Sequence, residues 1–167
     1  HAGITGGAFL FKLLTESYRQ DLAYTMVSQE SYPSWGYMLK QGATTFWESW
    51  ENNPELSYLH SSYLYVGAWF IHGVLGIQPA EPGYRRILIR PGPFNQPGLS
   101  RATGAFQSPR GTIGVEWTRS GTRLQLQVGI PANTRAEIVM PSQDVGDLTM
   151  PSDSRVLGTP PGWVHLE

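Results

Sequence analysis

The segment HSSYLYVGAWFIHGVL, residues 60–75, decides how the chain divides. Its apolar side chains recur at the three- and four-residue spacing of a helix. One face would carry Tyr63, Val66, Phe70 and Val74, and further apolar residues widen that face. A helix that is apolar on most of its sides is buried between neighbours. We therefore predict a buried helix over 60–75 that Gly76 ends.

The chain before this segment is also helical in pattern. Residues 7–30 are predicted as helix, because apolar side chains recur there at three- and four-residue intervals. SYPSWG at 31–36 is predicted to break the helix, since the residue before a proline disfavours helix and glycine favours turns. One more helical turn is expected over 36–41. TTFW at 44–47 has the composition of a strand.

After about residue 85 the periodicity changes from helix to strand. Short β-prone segments are separated by turn residues: ILIRP (87–91), TIGVEW (112–117), RLQLQVGIP (123–131) and RAEIVMP (135–141). Apolar and polar residues alternate in RLQLQV, which is typical of a sheet with one face in water. Turns are predicted at 120–121 and 131–133. The chain is thus predicted to be α+β, with helices over 1–80 and an antiparallel β-sandwich over 85–167.

Composition narrows the class of function. The net charge is −1 and no basic stripe is present, so we expect no nucleic-acid partner. The apolar run at 9–14 is too short to span a membrane. The sequence has no cysteine, and its histidines and carboxylates lack metal-ligand spacing, so we expect neither metal nor cofactor. Because the chain starts at His1 without Met or signal peptide, we expect it to be the C-terminal piece of a longer polypeptide.

The stretch QGATTFWESWE, residues 41–51, places acids among flat aromatic rings. Trp47 and Trp50 flank Glu48, and Glu51 follows. Aromatic rings pack against the C–H faces of sugars, and carboxylates carry the proton chemistry of glycoside hydrolysis. The alternative is a buried tryptophan pair with solvated glutamates on a loop. The stretch alone leaves both interpretations open.

Several segments, taken in order, resemble one family. SYPSWGYMLKQGATTFWESW (31–50), GAWFIHGVLGIQPAEPGYRRILIRPGP (67–93) and SPRGTIGVEW (108–117) are similar to the C-terminal end of α-L-rhamnosidases of glycoside hydrolase family 78. The resemblance implies that residues 1 to about 80 are the last helices of an (α/α)6 barrel. It also implies that a C-terminal β-sandwich follows them.

The resemblance implies an inverting reaction and assigns roles to two residues. Glu48 matches the family's general base, which activates water. His60 matches a histidine that contacts rhamnose. Trp47 is a candidate sugar platform because it is an aromatic residue beside Glu48, not because of the resemblance. The general acid belongs to a motif further upstream, which nothing before Glu48 resembles. The expected partners are therefore a rhamnose-containing glycoside or polysaccharide and an upstream part of the same polypeptide.

Each assignment has a structural alternative. His60 could cap a helix or lie in the core, Trp47 could be a packing residue, and Glu51 fits a solvated loop acid. His72 fits a structural histidine within the apolar helix. For the whole chain, the alternatives to an enzyme part are a non-catalytic carbohydrate-binding or structural module and a fragment of another (α/α)6 sugar-cleaving enzyme.

Overall fold

The structure, a computed structural model, describes residues 3–141, 156–157 and 163–166. The chain forms two compact units, residues 1–70 and 71–167. His1 and parts of the predicted β-sandwich at 142–155 and 158–162 lie outside the described residues. The first unit is helical: α1 (Gly3–Glu16), α2 (Gln20–Ser28), α3 (Trp35–Lys40), a 3-10 turn (Ser61–Tyr63) and α4 (Tyr65–Trp69).

The predicted helix over 7–30 is two helices, α1 and α2. Tyr18 separates them in the left-handed conformation, with φ at +61°. The Arg19 amide donates to the Leu14 carbonyl at 2.8 Å, and the Tyr18 amide donates to Thr15. This pair of bonds is the Schellman motif that ends helices, with tyrosine in the place where glycine is usual. The prediction of one helix was wrong because no glycine marks the stop.

The predicted break at 31–36 is confirmed. The Tyr32–Pro33 peptide is cis, and Ser34 follows it in an extended conformation. The Ser34 hydroxyl oxygen accepts from the Tyr37 amide at 2.9 Å, which caps the start of α3. The segment 44–47, predicted from composition as β-prone, is loop rather than strand.

The segment 60–75 is helical, but its winding changes along its length. A 3-10 turn at Ser61–Tyr63 leads into α4, and Phe70–Val74 continues as π-helix. Tyr63, Val66 and Val74 are buried as predicted, whereas Phe70 is 48% exposed. Gly76 follows the helical segment at a φ of +74°, a conformation that glycine adopts without strain.

Aromatic rings make the centre of the helical unit. Phe11 of α1 meets Trp35, Tyr65 and Trp69 at ring-centroid distances of 5.6, 5.5 and 6.0 Å. α1 crosses α4 closely at Gly7, where an added Cβ would lie 2.3 Å from the Tyr65 hydroxyl. The small residue therefore permits the packing that buries Phe11.

Within its described residues, the second unit contains eight strands in two sheets. The five-stranded sheet has the order β1-β2-β6-β8-β7, and the three-stranded sheet has the order β3-β4-β5. The strands are β1 (Ile77–Pro79), β2 (Arg86–Ile89), β3 (Arg101–Ser108), β4 (Gly111–Ser120), β5 (Arg123–Gly129), β6 (Arg135–Pro141), β7 (Val156–Leu157) and β8 (Trp163–Leu166). The pairings are antiparallel except that of β2 with β6, which is parallel.

Alternation along the strands builds the core of this unit. Ile113, Val115 and Trp117 of β4 point to one side and are buried, and Trp117 has no exposed surface. Ile87 and Ile89 of β2 are also fully buried. The apolar residues of β5 are only partly covered, because β5 lies at the edge of its sheet. The predicted fold class, helices followed by a β-sandwich, is confirmed.

Candidate active site

The segment containing Glu48 is held by a second segment nine or more residues later in the chain. The Glu48 amide donates to the Ser57 carbonyl at 2.9 Å, and the His60 amide donates to the Phe46 carbonyl at 2.8 Å. The Thr45 hydroxyl also contacts the Tyr58 carbonyl. Two loop segments therefore run side by side, which brings the backbones at Glu48 and His60 into one small region although twelve residues separate them.

Glu48 is half-buried, and its carboxylate is fixed by the backbone. Oε2 accepts from the Ser57 amide at 3.0 Å. Ser57 thus makes two hydrogen bonds with Glu48, one through its carbonyl and one through its amide. Within the described part of the chain Oε1 has no hydrogen-bond partner. The carboxylate is oriented at one oxygen and has its second oxygen available to accept a proton.

His60 is exposed, and its ring caps the 3-10 turn that follows it. Nδ1 accepts from the Ser62 amide at 3.0 Å and also contacts the Ser62 hydroxyl. The capping role is the structural alternative that the sequence left open. It uses only one ring nitrogen, so ligand contact through the other nitrogen stays a prediction.

Trp47 is 5% exposed and lies in a core cluster with Met38 and Tyr63. Its ring meets that of Tyr58 at 5.5 Å, and Trp50 lies against Tyr63 with ring centroids 3.8 Å apart. Packing is therefore the role of Trp47 in this structure. Its predicted contact with a sugar stays a prediction.

Glu51 is an exposed loop acid, which agrees with the interpretation of residues 41–51 as a loop with solvated glutamates. It accepts from the Tyr32 hydroxyl at 3.3 Å. Desolvation of the phenol, together with the nearby Glu51 carboxylate, raises the pKa of Tyr32. Glu51 therefore differs from Glu48, whose carboxylate is tied to the backbone.

The acids that precede Glu48 are each paired with a surface cation. Glu16 lies 3.8 Å from Lys12, and Glu30 pairs with Lys40. Asp21 accepts two hydrogen bonds from Arg19, which lower the pKa of the Asp21 carboxyl. An acid held ionised in this way is a poor proton donor.

Sequence reasoning did not find Ser57 or Ser62. Ser57 acts through its backbone amide, which every residue except proline possesses, so no side-chain signal marks it. Ser62 lies two residues after a candidate histidine in SSY, a spacing that is compatible with a capped turn. That spacing is a weak signal that could have been used.

The remaining histidine of the helical segment has a structural position. His72 Nδ1 lies 2.8 Å from the Ile77 carbonyl, and the His72 carbonyl accepts from Gln78. Among the described residues, no three His, Asp or Glu side chains are grouped so that they could hold a metal ion. No helix in residues 3–141 combines the length and apolarity that crossing a bilayer requires.

Two family models match the chain one after the other. Residues 1–74 match the six-hairpin glycosidase domain of bacterial α-L-rhamnosidases. Residues 76–154 match the bacterial α-L-rhamnosidase C-terminal domain. The order of the two domains is that of helices followed by strands.

Curated relatives carry the same description. An α-L-rhamnosidase of Streptomyces avermitilis is 35% identical in a match that covers 84% of this chain and 14% of the relative. An α-L-rhamnosidase of Alteromonas sp. (strain LOR) is 36% identical over 84% of this chain and 16% of the relative. The chain therefore spans about one-sixth of the length of these relatives or less.

Solved structures agree in fold. The α-L-rhamnosidase of Dictyoglumus thermophilum has a TM-score of 0.82 and 26% identity over 98% of this chain and 19% of its own. The Streptomyces avermitilis α-L-rhamnosidase complexed with L-rhamnose has a TM-score of 0.82 and 29% identity over 98% of this chain and 16% of its own. Two adjoining domain matches, the curated relatives and the shared fold lead to one conclusion: the chain belongs to the α-L-rhamnosidases of glycoside hydrolase family 78 and corresponds to their C-terminal part.

Proposed function

We propose that this chain is the C-terminal part of an inverting glycoside hydrolase that releases terminal α-L-rhamnose from glycosides or polysaccharides, and that Glu48 is its general base. The observation that carries the proposal is the pair of hydrogen bonds between Ser57 and Glu48. They orient one carboxylate oxygen of Glu48 and leave the other available. The names of the relatives support the substrate.

An inverting reaction needs two carboxyl groups on opposite faces of the sugar. One protonates the glycosidic oxygen, and the other removes a proton from the attacking water, about 6.5–9.5 Å away. Glu48 Oε1 fits the second role because it can accept the proton of a water while Oε2 stays bound to the Ser57 amide. Fixed orientation of a base lowers the cost of reaching the transition state.

The general acid is proposed to lie in an upstream part of the same polypeptide. Glu16 and Glu30 are exposed and paired with lysines. Asp21 is held ionised by Arg19. These pairings support a general acid that lies outside this chain. The chain alone would therefore be inactive.

Two further residues are proposed to contact rhamnose. His60 is an exposed residue, and its cap uses Nδ1, which leaves Nε2 for a ligand. Trp47, with its ring buried against Tyr58, would form a wall beneath the site rather than an open platform. The domain boundary is proposed to lie near residues 71–76, where the compact units and the two family models both divide.

The substitution Glu48→Gln in the full-length enzyme tests the proposal. It keeps the side chain's shape but removes the base, so kcat should fall by about 10²–10⁴-fold with a much smaller change in KM. Added azide should partly restore turnover and yield the β-rhamnosyl azide, because azide needs no base to attack the anomeric carbon.

Glu51→Gln is the matched control, since Glu51 is an exposed acid three residues away. It should leave kcat near the wild-type value. A Glu48→Gln enzyme with wild-type kcat would remove Glu48 from the mechanism. Turnover of an aryl α-L-rhamnoside by the 167-residue chain alone would disprove the external acid.

A further inference from the structure

The His60 ring is held at one nitrogen by the residue two positions later. The Ser62 amide donates to Nδ1 at 3.0 Å, and the Ser62 hydroxyl contacts the same nitrogen. Ser62 is 3% exposed, so its own position is set by packing, whereas His60 is exposed. The ring of an exposed residue is therefore attached to a buried anchor.

The contact determines which nitrogen carries the proton of the neutral ring. A backbone amide can only donate, so Nδ1 must offer its lone pair. Neutral imidazole has one N–H, which then lies on Nε2. Nε2 has no hydrogen-bond partner in the part of the chain that the structure describes. The Nε2–H of this exposed residue, which has no acceptor among the described residues, is available to a ligand.

We propose that Ser62 is a positioning residue that holds His60 in the Nε2–H tautomer, so that neutral His60 meets its ligand as a hydrogen-bond donor. The group it recognises is then an acceptor, such as a hydroxyl or ring oxygen of a sugar. The identity of that ligand rests on the proposed function. The tautomer rests only on the contacts of His60 with Ser62.

His72 provides an internal reference of the opposite kind. Its Nδ1 lies 2.8 Å from the Ile77 carbonyl, and a carbonyl can only accept. His72 must therefore carry its proton on Nδ1 when neutral. One chain should contain both tautomers, each favoured by a backbone group that contacts Nδ1.

The tautomers can be read directly by ¹⁵N NMR of the chain labelled with ¹⁵N-histidine, at a pH where the rings are neutral. Magic-angle spinning spectra serve equally for an associated chain, because they do not depend on tumbling. His60→Gln and His72→Gln assign the signals. We expect a bare Nδ1 and a protonated Nε2 for His60, and the reverse for His72. A protonated Nδ1 in wild-type His60, or an equal mixture, would overturn the proposal without any variant having to fold.

Ser62→Ala tests the anchor. The amide remains and the hydroxyl contact is lost, so the ratio of Nε2–H to Nδ1–H in His60 should fall about fivefold, the factor that corresponds to about 1 kcal/mol for one hydrogen bond. Ser61→Ala, the exposed neighbouring serine, should leave the ratio unchanged. An unchanged ratio in Ser62→Ala would overturn the role of Ser62.

The ligand arm separates this inference from the proposed function. In the full-length enzyme, titration with L-rhamnose should perturb the His60 Nε2 signal and leave that of His72 in place. Perturbation at Nδ1 with loss of the Ser62 contact would overturn the donor role. The expected tautomers without any response to L-rhamnose would uphold the positioning by Ser62 and count against the proposed substrate contact.

Discussion

At the scale of single residues, the Glu48 carboxylate depends on a backbone group. Its Oε2 accepts from the Ser57 amide, while the Ser57 hydroxyl is bonded to Leu59 instead. Hydrogen bonds to charged groups are among the stronger ones, at about 1.5–3 kcal/mol. The amide and the hydroxyl of Ser57 can therefore be removed separately, which isolates the bond that orients the base.

Ser57→Pro in the full-length enzyme removes the amide and should lower kcat about 10- to 100-fold, the factor for about 1.5–3 kcal/mol. Ser57→Ala keeps the amide and should change kcat by less than about threefold, since the lost hydroxyl is on the surface and bonds to Leu59 rather than to Glu48. Steady-state kinetics of both variants, with circular dichroism to confirm folding, make the measurement. A folded Ser57→Pro enzyme with wild-type kcat would contradict the role of this bond.

The sequence predicts the residues of the candidate site better than their geometry. Glu48 stands in a stretch of acids and aromatic rings, and such a pattern can be seen in the letters. The hydrogen bond from Ser57 to Glu48 cannot be predicted from the sequence, because the backbone amide that makes it does not depend on residue type. Trp47 carries the same letter whether its face is open or buried, and only packing against Met38 and Tyr63 decides.

At the scale of elements, Gly76 joins the helical segment to the first strand. Its carbonyl accepts from the Arg90 amide at 2.9 Å, and its Cα approaches the backbone of Arg90 and Pro91. An added Cβ would lie 2.1 Å from the Arg90 carbonyl carbon. Two requirements therefore meet at one position, a left-handed backbone and room for a neighbouring chain segment.

Gly76→Ala should destabilise the second unit, the strand-bearing unit of residues 71–167, by about 3 kcal/mol or more. Backbone strain of about 1–2 kcal/mol adds to a clash that only a backbone shift relieves. Gly83→Ala is the matched control, with φ at +67° and no atom within 4 Å of the added Cβ. It should cost only the strain. Urea unfolding followed by tryptophan fluorescence gives both values. Equal losses in the two variants would show that the close approach to Arg90 carries no weight.

Features that glycine or proline marks in the sequence were predicted, and features without such a marker were missed. Gly76 and the proline at 33 mark their breaks, and the turn at 120–121 joins β4 to β5 as expected. The stop at Tyr18 was missed because a hydrogen-bonded motif, not glycine, ends α1. β3 was missed because its small residues give little strand signal, although it pairs with β4 along its whole length.

At the scale of the whole molecule, the strand-bearing unit uses residues before its predicted start at 85. Ile77 of β1 has no exposed surface and pairs with Ile89. The Trp117 indole nitrogen donates to the Val74 carbonyl at 2.9 Å, and Trp117 is itself fully buried. The predicted start at 85 is where the alternation of apolar and polar residues becomes visible in the sequence. The three-residue strand β1 is too short to show that alternation.

The helical unit is different in its surface. Large apolar side chains are exposed there, among them Phe9 (68%), Leu13 (58%), Leu39 (69%) and Leu59 (76%). Exposed apolar surface of this kind favours association. An equilibrium measurement on the strand-bearing unit is therefore better made on that unit by itself.

Three segments, 71–167, 76–167 and 85–167, should separate the contributions at its N-terminal end. Removing residues 71–75 deletes the Val74 carbonyl and leaves the buried Trp117 N–H without a partner, which should cost about 1–3 kcal/mol. Removing β1 as well uncovers Ile89 and loses the buried Ile77, for a further loss of about 1.5–3 kcal/mol. Because small domains have only about 5–15 kcal/mol in total, 85–167 should have lost a large part of its stability at 25 °C. Urea midpoints by tryptophan fluorescence give the order of stability of the three segments. If all three segments unfold at the same urea concentration, β1 and Val74 lie outside the folding unit, and its start near residue 85 holds.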